Sequence, residues 1–580
     1  MGNIGWRAAK WPDWRASLAA AALVAVAALR VVSTYHDFNQ AYDEPAHIAC
    51  GMEWLDKGTY SMEPQHPPLP RVMSALGPYL AGLRLPKVGY VGGNKADGAD
   101  FYGAGNQILA ARGQYWHNLT LARMGTLPFL VLAAWVTFLW ARSLLGEWGG
   151  VLAVFLLSAL PVVLGYSTLA YVDPALMALF PAALLAWVRW LESPGLRRSL
   201  VLGAALAGAA LANAPWMVFL PPCLVAILAC RFWAGRKNPW RLRPWLWRWI
   251  PAGILALQVA CLVVWGGYRF SVERLDRVFE KPAVVVQHLH LPSPVKVLAL
   301  KTIAWNPALP APAFFQGIGR AVGENSKLYP AYLFGQVRRG GWWYFYFFML
   351  AFKTPPGFLL LALAGLVWGL RGLWRESDWR LAAPAVAVVV ILLVAATIRV
   401  NLGVRTILFV YPLLAVLGAA GFGEIWELRE KWPRAVPRVL LGVLAWLALD
   451  GVALHPNYLT YTSVLAGRQP DQSLVLDADF DAGEDVTKLA EVLRNHYVEH
   501  IKLRLYTSTD LTLMGLPLFE TLAPRERAKG WIAVSVHHLR TGEGPWYPEL
   551  ADGYAWLEAY PPVLSGDGGL DKTIRLYYLP

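Results

Sequence analysis

The sequence predicts a polytopic α-helical membrane protein that ends in a smaller extracytoplasmic α/β domain. The 580-residue chain is 56% hydrophobic and only 16% charged, whereas soluble domains usually carry about 25% charged residues. It also contains eleven apolar runs that suit membrane spans, which need roughly 20 residues each. The third observation is a return to a soluble composition over residues 455–580. Together these features exclude an ordinary soluble enzyme and a disordered chain.

The eleven apolar runs predict about eleven transmembrane helices. The first run has no small-residue cleavage site and precedes a long loop, so we expect it to stay as a membrane anchor. The fifth run is short, and its boundary with the sixth is not sharp. In chain order the runs cover about 16–33, 119–141, 149–166, 174–190, 199–213, 215–231, 249–267, 356–371, 381–398, 405–423 and 438–454.

Lys and Arg residues orient these helices. With the N-terminus in the cytoplasm, the short inner connections carry twenty Lys and Arg residues, and the short outer ones carry only Arg399 and Arg405. This asymmetry follows the positive-inside rule. The two long loops, 34–118 and 268–354, then lie outside, and so does the tail. The net charge of +13 therefore belongs to inner loops that anchor the protein, which argues against a nucleic-acid partner.

Residues 1–454 thus form a predicted transmembrane module, and residues 455–580 form a predicted soluble extracytoplasmic domain. The tail is acidic, with 11 basic and 17 acidic residues. Apolar residues at helical spacing predict a helix over Asp485–Tyr497. The predicted strands are Ser473–Leu476, Lys502–Tyr506, Ile532–His538 and Ile574–Leu579. The four cysteines are too few and too scattered for a disulfide framework or a zinc ribbon.

The first outer loop opens with two adjacent carboxylates, Asp43 and Glu44, and His47 follows them. Ionisable groups close to a membrane are costly, and they are therefore candidates for function. Carboxylates with a nearby histidine suit a general base or a metal ligand. Acids next to a proline such as Pro45 are also common at helix starts, so a purely structural role is the alternative.

A second group of candidates lies further along this loop and at the outer end of a later span. Prolines hold His66 and Arg71 near the membrane surface, in a turn that either binds substrate or only leads back into the membrane. Asp173 opens the fourth span. It either caps the helix that Pro174 begins, or it faces a polar cavity shared with Asp43.

Basic and amide side chains near the later outer connections are candidates for binding an anion. Lys353 comes directly before the eighth span, and Asn401 and Arg405 come before the tenth. A guanidinium at the bilayer edge suits a phosphate group. Such a residue also reaches lipid headgroups without any specific ligand, and this is the alternative.

In combination these residues resemble the family-39 glycosyltransferases of the GT-C class, which include protein O-mannosyltransferases and the lipid A aminoarabinose transferase. The resemblance covers nearly the whole chain. It depends on the order of several short motifs rather than on any single one. The matching segments are Asp43–His47 with Gly51 and Trp54-Leu55, His66–Leu69, Asp173, Gly335 with Trp342–Tyr344, Lys353–Pro355, Asn401–Arg405 with Tyr411-Pro412, His455–Leu459 and Asp477–Asp485.

The resemblance implies transfer of a sugar from a polyprenyl-phosphate donor to a hydroxyl of an acceptor protein, envelope glycan or lipid, with inversion at the anomeric carbon. It implies that Asp43 is the catalytic base and that Glu44 and Asp173 complete the catalytic group. The residues implied to bind substrate are His47, His66, Arg71, Lys353, Asn401 and Arg405. The cofactor is not defined; a divalent cation stays open, with Glu44 and His47 as candidate ligands. The implied location is a bacterial plasma membrane, with the site on its outer face.

Four positions depart from the family pattern and leave the donor headgroup and the acceptor undefined. They are Tyr166, Asn213, Thr406 and Phe409. Two other classes of protein compete with the glycosyltransferase hypothesis. A transporter or flippase for a lipid-linked glycan predicts charges along the spans and repeated halves, whereas here the acids cluster at the outer edge. A noncatalytic scaffold predicts that the outer domain serves only to bind a partner.

Overall fold

The computed structural model describes residues 13–90, 98–236, 243–279, 293–326, 330–467, 480–542, 552–563 and 570–580. The predicted strand Ser473–Leu476 and the first part of the acidic run Asp477–Asp485 lie outside these residues. Within them the chain forms a large bundle of apolar helices, two short antiparallel strand pairs and a four-stranded sheet near the C-terminus.

All eleven apolar runs are helical in the structure, which confirms the multi-pass helical membrane class. Some runs are covered by two consecutive helices. The helices are Trp14–Ser33, Tyr115–Met124 with Leu127–Leu145, Glu147–Ser158 with Pro161–Ser167, Asp173–Glu192, Leu196–Ala212, Trp216–Gly235, Arg243–Gly267, Pro356–Arg371, Trp379–Ala395, Tyr411–Glu427 and Ala435–Ala453.

The number of spans is smaller than predicted. By length and composition, eight helices of the described residues can cross a membrane, or up to nine if one bent pair counts as a span. That pair, Glu147–Ser158 and Pro161–Ser167, bends by 69°, because the residue before a proline disfavours helical geometry and Leu160 is extended here. Trp379–Ala395 and Leu196–Ala212 have only 17 residues each. The prediction of about eleven spans is therefore too high by this criterion.

The helix Tyr411–Glu427 lies in the centre of the bundle. Its residues from Tyr411 to Gly421 are all buried, as expected for a helix that is apolar on every side. It packs against Pro356–Arg371 and Glu147–Ser158. A 3-10 segment, Val404–Val410, leads into it, so the central helix fixes the position of the residues that precede it.

The first outer loop folds into a compact helical layer. Its elements are Glu44–Met52, a π-helical turn Glu53–Lys57, Pro68–Leu80, Phe101–Ala110 and the 3-10 turn Ala111–Gly113. Two glycines allow the backbones to approach closely: a Cβ at Gly51 would lie 1.9 Å from the Arg71 carbonyl oxygen, and one at Gly105 would lie 2.1 Å from the Pro45 carbonyl oxygen. These contacts fix the two ends of Glu44–Met52 between two neighbouring helices.

The second outer loop contains short strands and helices. Val272–Arg274 pairs antiparallel with Ala308–Pro310, and Pro330–Leu333 pairs antiparallel with Gln336–Arg339. The helices of this loop are Leu275–Val278, Ser293–Trp305, Pro312–Ser326 and Phe345–Phe352.

The C-terminal residues form the α/β arrangement that the sequence predicts. The sheet has the order Leu518–Thr521, His500–Arg504, Gly530–Ser535 and Ile574–Leu579, with the first three strands parallel and the last antiparallel. Its helices are Val486–Asn495, Val536–Thr541 and Leu570–Thr573, with 3-10 turns at Val464–Ala466, Leu511–Leu513 and Ala555–Ala559. The strand Leu518–Thr521 was not predicted. The predicted strand over Ile532–His538 ends at Ser535, where a helix begins.

Candidate active site

Asp43 lies at the start of the helix Glu44–Met52, where it contacts three other parts of the chain. One carboxylate oxygen accepts a hydrogen bond from the Tyr102 hydroxyl at 3.1 Å, and the other pairs with the Arg405 guanidinium at 3.1 Å. The Asp43 backbone N–H donates to the Tyr171 hydroxyl at 3.3 Å. The side chain of Asp43 is 29% exposed and that of Arg405 is 18% exposed. The predicted base and the predicted phosphate-binding cation therefore meet in a partly open position.

Arg405 reaches Asp43 because the chain turns sharply just before the central helix. Gly403 has a φ of 77°, a conformation that a residue with a Cβ rarely adopts, and the 3-10 segment that follows carries Arg405. The guanidinium carbon lies 5.8 Å from the centroid of the Tyr171 ring. Asp173 also interacts electrostatically with Arg405. Two of the predicted catalytic acids thus act on the same cation.

Asp173 is linked to His66 through an amide. The Asn213 side-chain N–H₂ donates to Asp173 Oδ1 at 3.0 Å, and Asn213 Oδ1 lies 3.2 Å from His66 Nδ1. An amide oxygen only accepts hydrogen bonds, so His66 Nδ1 carries the proton. Burial lowers the pKa of His66, which favours the neutral ring with a lone pair on Nε2.

His47 and Arg71 form a second buried group. Arg71 Nε donates to His47 Nδ1 at 3.1 Å, and the Arg71 guanidinium also pairs with Glu63. Burial and the charge of Arg71 lower the pKa of His47, so its ring is neutral with the proton on Nε2. Burial alone would raise the pKa of Glu63, but Arg71 lowers it to about 2. The rings of His47 and His66 meet edge to face at 5.5 Å between centroids.

Glu44 has a different environment from Asp43. Its side chain is fully buried and pairs with Arg123, which is 1% exposed, at 2.8 Å. It also accepts hydrogen bonds from the backbone N–H groups of Ala41 and Ala170, each at 2.7 Å. Both carboxylate oxygens are therefore engaged within the protein, and the geometry favours a role in holding the loop.

Lys353 and Asn401 are also deeply buried. Lys353 Nζ donates to the carbonyl oxygens of Leu459 and Tyr461, each at 2.8 Å, so it ties the beginning of the tail to the helical bundle. Asn401 Oδ1 accepts a hydrogen bond from the Trp342 backbone N–H at 2.8 Å. In the described part of the chain, Asn401 Nδ2 is buried without a hydrogen-bond partner.

The two candidate metal ligands do not form a cation site here. Glu44 already binds Arg123 and two backbone N–H groups, and His47 Nδ1 accepts from Arg71. Over the residues that the structure describes, no group of three or more His, Cys, Asp or Glu side chains has a geometry that suits a metal ion. The Glu44 carboxylate and His47 Nδ1 are therefore already engaged within the protein.

Sequence reasoning missed three residues that complete this region: Tyr102, Glu63 and Arg123. The sequence carried a signal for Arg123, because a single cation inside an apolar run requires a buried partner. It also carried a signal for Glu63, because Glu63 is the ion-pair partner of the candidate residue Arg71. Tyr102 carried no local signal, since it lies in an ordinary amphipathic helix 59 residues from Asp43.

A family comparison addresses the middle of the chain. Residues 117–265 match the family model described as dolichyl-phosphate-mannose-protein mannosyltransferase. The resemblance to the family-39 glycosyltransferases is confirmed. The matched segment covers about a quarter of the chain and contains Asp173 and Asn213, whereas Asp43 and Arg405 lie outside it. This match supports the broad class that the sequence predicts, a GT-C membrane glycosyltransferase. A search of curated proteins found no match.

Two solved structures are similar to the chain over most of its length. ArnT from Cupriavidus metallidurans bound to undecaprenyl phosphate is 12% identical, with 96% of this chain and 97% of that chain covered and a TM-score of 0.46. The oligosaccharyltransferase of Archaeoglobus fulgidus in the apo form is 13% identical, with 94% of this chain and 72% of that chain covered and a TM-score of 0.41. Neither likeness bears on individual residues.

Proposed function

We propose that this protein transfers a sugar from a polyprenyl-phosphate donor to an acceptor hydroxyl at the outer surface of the membrane. The observation that carries the proposal is the Asp43–Arg405 pair, a carboxylate and a guanidinium that meet at 3.1 Å where both side chains are partly exposed. Glycosyl transfer from a phosphate leaving group needs a base for the hydroxyl and a cation for the phosphate. This pair supplies both at one position.

In the proposed reaction the acceptor oxygen attacks the anomeric carbon while Asp43 takes the hydroxyl proton. The bond between that carbon and the phosphate oxygen breaks on the opposite face, and the phosphate leaves with the bonding electrons, so the configuration inverts. A positioned base of this kind typically contributes ~10²–10⁴-fold to the rate. Arg405 stabilises the departing phosphate through charge-assisted hydrogen bonds.

The ion pair itself suggests how the donor binds. A guanidinium has five N–H donors in a fixed fork, and the hydrogen bond to Asp43 Oδ2 uses one of them. A phosphate that binds the others would share the cation with Asp43 and weaken the hold of Arg405 on the carboxylate. We therefore propose that donor binding prepares Asp43 to accept a proton.

The remaining candidates divide into two groups in this proposal. Asp173, His66, His47 and Asn401 bind the sugar, the acceptor or the phosphate. For Asp173 the support is its interaction with Arg405, and for Asn401 it is the buried Nδ2 without a hydrogen-bond partner among the described residues. In the second group, Glu44, Arg71 and Lys353 act indirectly, since the atoms that would meet substrate are bonded to the protein.

The proposed setting is a bacterial plasma membrane with a cytoplasmic N-terminus. Residues 1–454 form the catalytic membrane module, and residues 455–580 form the outer domain. Asp43, the start of the helix Asp173–Glu192 and the segment before Tyr411–Glu427 meet at one site. This supports the predicted orientation, which puts all three at the outer face. Acceptors of the proposed class are Ser or Thr of an exported protein and envelope glycans or lipids.

The test uses the full-length protein in liposomes with a panel of radiolabelled polyprenyl-phosphate sugars. Transfer or slow hydrolysis of the label is followed for the wild type, for Asp43→Asn and for Asp37→Asn. The last variant is a matched control, because Asp37 is an exposed acid in the same loop. The proposal expects at least a roughly tenfold loss in Asp43→Asn alone. Equal turnover in both variants excludes Asp43 as the base, and no donor binding at all favours a transporter or scaffold.

A further inference from the structure

The C-terminal domain contacts the chain segment that carries Asp43. We call residues 39–42 the base loop and residues 481–485 the acidic turn. The Tyr42 backbone N–H donates to the Ala482 carbonyl oxygen at 2.8 Å, and the Ser508 hydroxyl donates to the Tyr42 carbonyl oxygen at 2.6 Å. The second of these bonds is made to the peptide group that joins Tyr42 to Asp43. The backbone next to the proposed base is therefore held by the C-terminal domain.

Asn39, the first residue of the base loop, makes further hydrogen bonds to the C-terminal domain. It is fully buried, and its Oδ1 accepts a hydrogen bond at 2.8 Å from the N–H of Val486, the first residue of the helix Val486–Asn495. Its Nδ2 donates to the Gly483 carbonyl oxygen at 2.9 Å and to the Thr509 hydroxyl at 3.1 Å. The residue before that helix, Asp485, forms no side-chain cap. A residue of the membrane module thus caps a helix of the C-terminal domain, a position where a free N–H otherwise needs a partner.

Aromatic rings continue the connection to the carboxylate. The ring of Tyr42 stacks on Tyr506 at 4.8 Å, and Tyr506 stacks on His537 at 4.2 Å. On its other side Tyr42 meets the edge of Tyr102 at 5.5 Å. The hydroxyl of Tyr102 is the group that donates to Asp43. Offset stacked and edge-to-face ring pairs of this kind stabilise the contact beyond the burial of the rings.

We infer that the C-terminal domain is part of the catalytic site and positions Asp43, with Asn39, Tyr506 and Ser508 as the positioning residues. The inference rests on the proposed function, because positioning is meaningful only for the transfer reaction. Tyr506 and Ser508 act through Tyr42, whereas Asn39 holds the start of the base loop, and none of the three needs to touch substrate. Displacing a catalytic group by about 1 Å can cost ~10²-fold in rate, so loosening of the base loop lowers kcat more than it weakens donor binding.

The test compares four variants of the full-length protein in liposomes. Tyr506→Ala removes the stack, Ser508→Ala removes one hydrogen bond, and Tyr506→Phe keeps the ring. Tyr578→Ala is the matched control, since Tyr578 is a 59% exposed tyrosine of the same domain. The readouts are kcat, the donor KM and hydrogen exchange in peptides that cover residues 38–52.

In Tyr506→Ala we expect the amide hydrogens of the base loop to exchange faster than in the wild type. We expect its kcat to fall by about tenfold or more and its donor KM to stay within about threefold of the wild type. Ser508→Ala should follow in the same direction, and Tyr506→Phe and Tyr578→Ala should match the wild type. The inference is overturned if folded Tyr506→Ala and Ser508→Ala keep wild-type exchange and kcat. If the wild type transfers no sugar, the proposed function fails instead. Exchange alone then shows whether the domain orders this segment.

Discussion

Two neighbouring carboxylates each pair with an arginine, yet their surroundings differ completely. Asp43 and Arg405 are 29% and 18% exposed, whereas Glu44 and Arg123 are 0% and 1% exposed. The first pair joins residues 362 positions apart at the surface of the site, and the second joins the start of the first outer loop to the buried side of the helix Tyr115–Met124. Adjacent acids in the sequence thus support two distinct tasks. In the proposed function the exposed carboxylate exchanges its arginine partner for substrate, and the buried one keeps its partner.

The largest expected effect concerns the exposed pair. Replacing Asp43 with Asn keeps the size of the side chain and removes the proton acceptor, so we expect the transfer rate to fall by ~10²–10⁴-fold. The thermal midpoint should stay close to the wild type, because the amide can still accept from Tyr102. Steady-state turnover and a thermal melt of the same preparation check both statements. If Asp43→Asn lowered the thermal midpoint as well as the turnover, the exposed pair would also have a structural role, which contradicts the contrast between the two pairs.

Breaking the buried Glu44–Arg123 pair should chiefly lower the stability of the protein. Glu44→Leu leaves Arg123 charged and buried without its partner, which typically costs about 3–5 kcal/mol of stability. The double variant Glu44→Leu with Arg123→Met removes both charges and should lose less stability than the sum of the two single variants, Glu44→Leu and Arg123→Met. Thermal unfolding in detergent, analysed as a double-mutant cycle, measures the coupling. Additive losses in the two single variants would show that the pair is not coupled.

A smaller effect separates charge from geometry at Arg405. Arg405→Lys keeps the charge but loses the planar fork, and Arg405→Gln loses both. Hydrogen bonds to charged groups contribute about 1.5–3 kcal/mol, so we expect Gln to weaken binding of a polyprenyl phosphate by roughly 10–100-fold and Lys by less. Titration of each variant with the lipid phosphate measures this. If both variants bind like the wild type, Arg405 does not hold the phosphate.

Local patterns predicted the helical architecture well because hydropathy is a local property. All eleven apolar runs became helices, and the strand Ile574–Leu579 has the predicted bounds. By length and composition only eight or nine helices of the described residues pass as full spans, because bends and helix length depend on details such as Leu160, where the chain is extended before a proline. The short edge strand Leu518–Thr521 has few apolar residues facing the core, so no alternation marked it.

The candidate site was predictable only in part. The sequence identified Asp43 and Arg405 as candidates, but contact between residues so far apart follows from tertiary packing, not from spacing. Burial reversed the expectation for Lys353, which binds carbonyl oxygens of the tail at 2.8 Å. Glu44 looked equivalent to Asp43 in the sequence because its partner, Arg123, is 79 positions away.

Two further buried acids, Asp481 and Glu484, have no arginine ion pair within the described residues. Asp481 and Glu484 are buried in the acidic turn against the base loop. Burial, assisted by the charge of Asp485, raises the pKa of Asp481 to about 7 and also raises that of Glu484. Lys488, Asp485 and His537 are the other ionisable groups at this turn, and burial lowers the pKa of His537 to about 3, so its ring is neutral.

These raised pKa values predict the smallest effect. The contacts that hold the base loop should weaken as the pH rises. Because Asp481 holds its proton more tightly in the folded protein, its contribution to stability is full below its ordinary pKa of 3.8 and is lost as the pH rises through about 7. Exchange in residues 38–43, corrected for intrinsic rates, should therefore accelerate between about pH 4 and 7 and level off above that. Asp481→Asn keeps the shape and cannot ionise, so its exchange should depend less on pH. An unchanged pH dependence in this variant would assign the effect to another group.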